Sequence, residues 1–129
     1  MGGVDSIDWD SLSDFVEGMW ENSALPSLCD FIEIPALSPA FDVDWAANGH
    51  LDATVDLFTD WLATIELEGL KANVHRLEGR TPLLLCEVPG TGPGEVLFYS
   101  HLDKQPEFTG WSEGKGPWIP VQEGEWLFG

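Results

Sequence analysis

Val96-Leu97-Phe98-Tyr99-Ser100-His101-Leu102-Asp103 is the stretch on which the fold turns, because four consecutive large apolar residues run straight into an imidazole and a carboxylate. An apolar run of this length, preceded by the loop-forming Pro89-Gly90-Thr91-Gly92-Pro93-Gly94, has the pattern of a strand covered on both faces. The reading predicts a strand over 95–99 at the centre of a sheet. It also places His101 and Asp103 at the strand's carboxyl end, where residues two apart in an extended chain share a face.

Working backward, the segment from Leu83 to Val88 reads as a second strand, and Ala72, Val74 and the pair Arg76/Leu77 as a half-buried first one. Before these strands the period is helical. Trp9, Leu12, Phe15, Val16, Met19 and Trp20, then Leu25, Leu28, Phe31 and Ile32, predict two helices, or one bent at Pro26, between Ser6 and Ile34. Pro35 and Pro39 close that segment, since each proline removes a donor and disfavours helix in the residue before it. A third helix is expected with Asn48 as its cap, an apolar stripe of Leu51, Val55, Phe58, Leu62 and Ile65, a wet side of Asp52, Asp56 and Asp60, and Gly69 as its stop. Working forward, Trp118, Ile119 and Val121, the Glu123-Gly124 turn and Trp126-Leu127-Phe128 predict a hairpin. The expected class is α/β: N-terminal helices followed by strands of a mixed sheet, with residues 1–129 as a single domain. The apolar ending Trp126-Leu127-Phe128-Gly129, without a closing element, predicts a domain incomplete at its C-terminus.

Composition narrows the function. The chain carries 23 Asp+Glu against 5 Lys+Arg, a formal net charge of -18, and no basic residue before Lys71. Neutralising phosphates takes lysine and arginine, so nucleic acid and anionic lipid are excluded as partners. The acidic excess predicts a halophilic surface whose self-repulsion is tolerable when salt screens it. No calcium-loop pattern occurs, and the Gly-rich loop at 90–94 lacks the helix and the Gly-Lys-Ser/Thr of a phosphate cradle. No run approaches the roughly 20 apolar residues of a membrane helix, and Met1-Gly2-Gly3-Val4-Asp5 shows no signal-peptide pattern, so the expected address is cytoplasmic. Cys29 and Cys86 read as two buried reduced thiols.

The chemistry concentrates at His101 and Asp103. A neutral imidazole is a good zinc ligand, and a neighbouring carboxylate that accepts its other N–H fixes tautomer and ring orientation. His50, at a helix start, and His75, in the first strand, have no ligand spacing to His101 and read as structural or surface residues.

The segment from Val96 to Pro106, followed by Gly110-Trp111, Gly116-Pro117-Trp118, Pro120-Val121 and Gly124-Glu125-Trp126-Leu127-Phe128-Gly129, resembles the zinc metallopeptidase family of carnosinase, other cytosolic dipeptidases, carboxypeptidase G, aminoacylase and acetylornithine deacetylase. The dipeptidase branch is the most similar. Phe31-Ile32-Glu33-Ile34-Pro35-Ala36-Leu37-Ser38 resembles the helix-end signature near the start of such enzymes. The resemblance implies a truncated zinc-exopeptidase catalytic domain, in which His101 is a ligand of one metal of a two-zinc centre and Asp103 is the catalytic carboxylate that orients it. Ser100 departs from the glycine usual in that place. The metal-bridging aspartate, the Glu-Glu pair with the general base, a further acidic ligand and a distal histidine have no counterparts in these 129 residues.

The resemblance therefore implies a fragment of a metal-dependent dipeptidase or amidohydrolase, acting in the complete enzyme on a small peptide or N-acyl amino acid. Weak or no zinc binding, and no activity, are expected of the fragment itself. The alternative is a non-catalytic acidic remnant acting as a binding or assembly module, dimerising or pairing through its C-terminal apolar edge. An acidic glycosidase is a third class, but nothing singles out a carboxylate pair.

Overall fold

The computed structural model describes residues 7–129; the N-terminal pentapeptide Met1 to Asp5 and the expected helix start at Ser6 lie outside the described residues. The first helix, α1 (Trp9–Met19), opens on Asp8, whose side chain accepts from the Ser11 backbone N–H. It runs without leaving helical backbone through a π-helical turn, Trp20–Ala24, into α2 (Leu25–Glu33). The chain is thus one helical rod with a widened turn, rather than two helices or a simple bend. Pro26 has no N–H to donate and its ring would crowd the carbonyl four residues back. The ladder shifts in the turn just before it, where the Leu25 N–H donates to the Trp20 carbonyl.

After a turn at 39–44 comes the short α3 (Trp45–Asn48), then Gly49 in the left-handed region at φ 73°, then α4 (His50–Ala63). Asn48 does not cap α4. Its amide donates instead to both carboxylate oxygens of Asp42 at 3.1 and 2.9 Å, and Gly49 occupies the cap position. Nor does Gly69 stop the helix: α4 ends at Ala63 with the Thr64 hydroxyl donating to the Trp61 carbonyl, and Gly69 serves the turn into β1. The expected stripe does face inward. Leu51 and Val55 are buried beside Thr54, whose hydroxyl donates to the His50 carbonyl, while Asp56 and Asp60 are exposed and Asp52 is half-buried. α2 packs on α4 through an edge-to-face pair of Phe31 and Phe58, centroids 5.3 Å apart.

The strands form two separate antiparallel hairpins, not one mixed sheet. β1 (Lys71–His75) pairs with β2 (Leu83–Glu87), Lys71 opposite Glu87 and His75 opposite Leu83. β3 (Val121–Glu123) pairs with β4 (Trp126–Phe128) around Gly124, as the aromatic-glycine pattern predicts. The architecture is helices followed by small antiparallel sheets, which keeps the expected order of elements.

The decisive correction concerns Val96 to Tyr99. These residues join no strand, and their exposures of 80, 88, 89 and 89% make them the opposite of a buried central strand. Their sequence is right for a strand, but a strand needs partner strands on its flanks, and no described residue pairs with them. β1 is likewise exposed along its whole length instead of half-buried. Cys86, in β2, is exposed and Cys29 half-buried, so the expectation of two buried thiols fails; both are free. Among the described residues no helix is long and apolar enough to cross a membrane.

Candidate metal-ligand site at His101

His101 stands at the end of the unpaired apolar segment, and the residue that fixes its surroundings is Lys104. The Lys104 N–H donates to the Ala36 carbonyl at 2.8 Å, and the Ser38 N–H donates to the Lys104 carbonyl at 2.9 Å. Together these make a one-residue parallel bridge between Leu37 and Lys104. Ala36 is fully buried, so the bridge sits against the small core.

The peptide unit between Asp103 and Lys104 is thereby held from one side, and its other end faces the imidazole. His101 Nδ1 lies 2.8 Å from the Asp103 carbonyl oxygen and 3.0 Å from Asp103 Oδ1. Both oxygens accept and neither donates once the carboxyl is ionised, so the proton belongs on Nδ1 and the lone pair on Nε2. The His101 side chain is 64% exposed, against 33% for Asp103. A carboxylate and a carbonyl hold one nitrogen of the ring, and the side chain as a whole stays largely exposed. The arrangement is reached through irregular chain, since no strand delivers the pair.

The donor set stops there. Among the described residues, no three His, Cys, Asp or Glu side chains are grouped so as to hold a metal ion, and zinc ordinarily keeps three protein ligands even in an open site. His50 lies half-buried at the start of α4, and His75 is exposed at the end of β1, paired opposite Leu83. Among the described residues, His101 and Asp103 do not make up a metal centre by themselves.

The sequence reading passed over Lys104. Its Nζ donates to the carbonyls of Phe31 at 2.6 Å, Ile32 at 3.1 Å and Ile34 at 2.7 Å, which are carbonyls at the C-terminal end of α2. The same ammonium lies 4.2 Å from the centre of the Phe31 ring and 5.0 Å from that of Trp118. Burial lowers its pKa to about 8. The signal in the sequence was a lysine in a chain with 5 Lys+Arg, set directly after the His-x-Asp, but its partners lie some seventy positions upstream.

Two hollows lie elsewhere. An open apolar groove of about 220 Å³ is lined by Trp20, Leu28, Leu57, Phe58 and Trp61, and a second, of about 350 Å³, by Leu62, Ile65, Leu70 and Ala72. Neither includes His101, Asp103 or Lys104.

Compared with known proteins, the chain matches no family model and no curated protein.

Proposed function

We propose that these 129 residues are the N-terminal part of a metal-dependent dipeptidase or amidohydrolase, with His101 as one metal ligand and Asp103 as the carboxylate that orients it. The observation that carries the reading is the contact of His101 Nδ1 with the side chain and carbonyl of Asp103, which leaves Nε2 exposed and basic. A metal pair held there would supply a water of lowered pKa and positive charge toward the carbonyl oxygen of a small peptide or N-acyl amino acid. The contribution of this chain is to hold one imidazole in a single tautomer; the remaining ligands and the general base belong to chain outside these residues. Zinc is the expected metal, and the fragment on its own is inactive.

The test follows the imidazoles by NMR while zinc is added in excess. The His101 Nε2 resonance is expected to respond before those of His50 and His75; a response led by either of the others would sink the ligand assignment. Dipeptide hydrolysis by the zinc- or cobalt-loaded chain, abolished by His101→Ala, would overturn the claim of inactivity.

A second reading has its own observation. Val96 to Tyr99 form an exposed apolar segment without strand partners, the kind of feature that marks an interaction surface. On this reading the chain is a non-catalytic acidic module that associates through an unfinished strand. Size-exclusion chromatography separates the two: a defined dimer disrupted by Phe98→Ser supports the module, and a monomer insensitive to that change removes it.

A further inference from the structure

We infer that Lys104 is the positioning residue of the His101 site, a tether that clamps the His-x-Asp segment onto the C-terminal end of α2 and so helps to set the tautomer of the imidazole. The helix end has room for such a group. The Phe31 carbonyl accepts the Ile34 N–H at 3.2 Å and the Ile34 carbonyl the Ala36 N–H at 2.8 Å, each oxygen keeping a second lone pair, and α2 carries no basic residue in its own last turn. The ammonium supplies three donors to the carbonyls of Phe31, Ile32 and Ile34, at 2.6, 3.1 and 2.7 Å, and its charge complements the negative end of the helix dipole.

Two rings enclose the ammonium. Phe31 belongs to α2 itself, whereas Trp118 comes from the turn Gly116-Pro117-Trp118-Ile119, closed by a bridge between Gly116 and Ile119. Trp118 has φ 63°, the single positive φ among the described non-glycine residues. It follows a proline, at a turn position where Gly or Asn relieves the left-handed strain. A bulky aromatic held there is strained. What the turn gains in return is a ring laid over the Lys104 ammonium.

The clamp reaches the imidazole through one peptide unit. Lys104 fastens its own backbone N–H to the Ala36 carbonyl, and the other end of that same peptide, the Asp103 carbonyl, sits 2.8 Å from His101 Nδ1. Pulling the side chain off the helix end leaves only the two backbone bonds of the bridge to hold this plane, and its looser carbonyl weakens one of the two acceptors that keep the proton on Nδ1. Lys104 touches neither metal nor substrate in this scheme. Its importance for chemistry rests on the ligand reading of His101, but its effect on the ring does not.

The experiment reads the ring directly, without metal or activity. In the full chain at about pH 7.5, where an ordinary imidazole is mostly neutral, two-bond ¹H–¹⁵N correlation spectra report which nitrogen of His101 carries the proton. Wild type is expected in the Nδ1–H form. Lys104→Met is expected to weaken that preference, raising the Nε2–H share while the Asp103 carboxylate still accepts from Nδ1, with His50 and His75 unchanged; an unaltered His101 pattern in a folded variant overturns the tether. Chemical rescue adds a second arm: an exogenous alkylammonium ion refilling the carbonyl cradle of Lys104→Ala should shift His101 back toward Nδ1–H, where the same concentration of sodium does not. If both variants fail to fold, the wild-type chain decides. Through-hydrogen-bond couplings from the Lys104 amino nitrogen to the Phe31 and Ile34 carbonyl carbons are expected, and a freely exchanging amino group without them rejects the clamp. A positive result combined with failure of His101 to respond to zinc would leave the tether standing and remove the metal-ligand reading alone.

Discussion

At the scale of single residues, two charged groups with lowered pKa values make predictions of the same sign in separate pH windows. Burial lowers the Lys104 pKa from 10.5 to about 8. Between those values the unfolded chain binds more protons than the folded one, so the contribution of Lys104 to stability rises with pH across that window and is flat below it. The denaturation midpoint of wild type relative to Lys104→Met should therefore climb from pH 8 to pH 10.5, and a falling difference would show that the ammonium form is the favoured one. Asp8 behaves in the same sense at lower pH. Hydrogen bonds from the Ser11 hydroxyl and backbone N–H hold its carboxyl below its ordinary value of 3.8. The cap is fully present above that value and is lost as pH falls through the lower folded pKa. Asp8→Ala should reduce helicity measured by circular dichroism near neutral pH and make no difference in strong acid. At this scale the sequence was informative about His101 and Asp103, because the spacing of two puts them in reach of each other in any extended or turn-like backbone. It was silent about Lys104, since nothing in the local chain announces a partner at Phe31 or Ile34.

At the scale of elements, helices were legible and strands only half so. α4 is visible in the sequence as a stripe because its hydrogen bonds close within the segment and its burial follows the 3.6-residue period. Its ends were misplaced, since Asn48 found a better partner in Asp42 and the chain turned at Thr64 before reaching Gly69. Stability should follow the burial observed. Val55→Ala, at a position 1% exposed, is expected to cost about 2 kcal/mol in chemical denaturation. Phe98→Ser, at a position 89% exposed, is expected to stay within about 0.5 kcal/mol. A cost for Phe98→Ser as large as that for Val55→Ala would mean that the 96–99 segment is a covered strand after all. The π-helical turn carries its own prediction. The Trp61 indole N–H donates to the Ser23 hydroxyl at 2.9 Å, tying that turn to α4, so Ser23→Ala should cost about 1 kcal/mol.

At the scale of the whole molecule, a net charge of -18 is set against few cations, and these are spent on particular contacts. Arg76 pairs with Asp52, joining the end of β1 to α4. Lys115 donates to Glu123 at 2.6 Å and lies over the Phe128 ring, fastening the last hairpin. The remaining carboxylates repel one another across a surface that salt would screen over a few ångströms. Raising KCl from about 50 mM to about 2 M is expected to stabilise the fold in circular dichroism melts, and equal stability at the two concentrations would dismiss the halophile reading.

The amino-acid sequence alone determined the order of elements, the helical stripes, the final hairpin and the pairing of His101 with Asp103. Each of these depends on hydrogen bonds or faces that close over a few residues of chain. Only the tertiary structure decided that Val96 to Tyr99 lie open and that Lys104, next to Asp103, is fastened to the end of α2. A β-strand and a helix-capping cation are both completed by groups far away in sequence, and whether those groups arrive is a property of the folded chain.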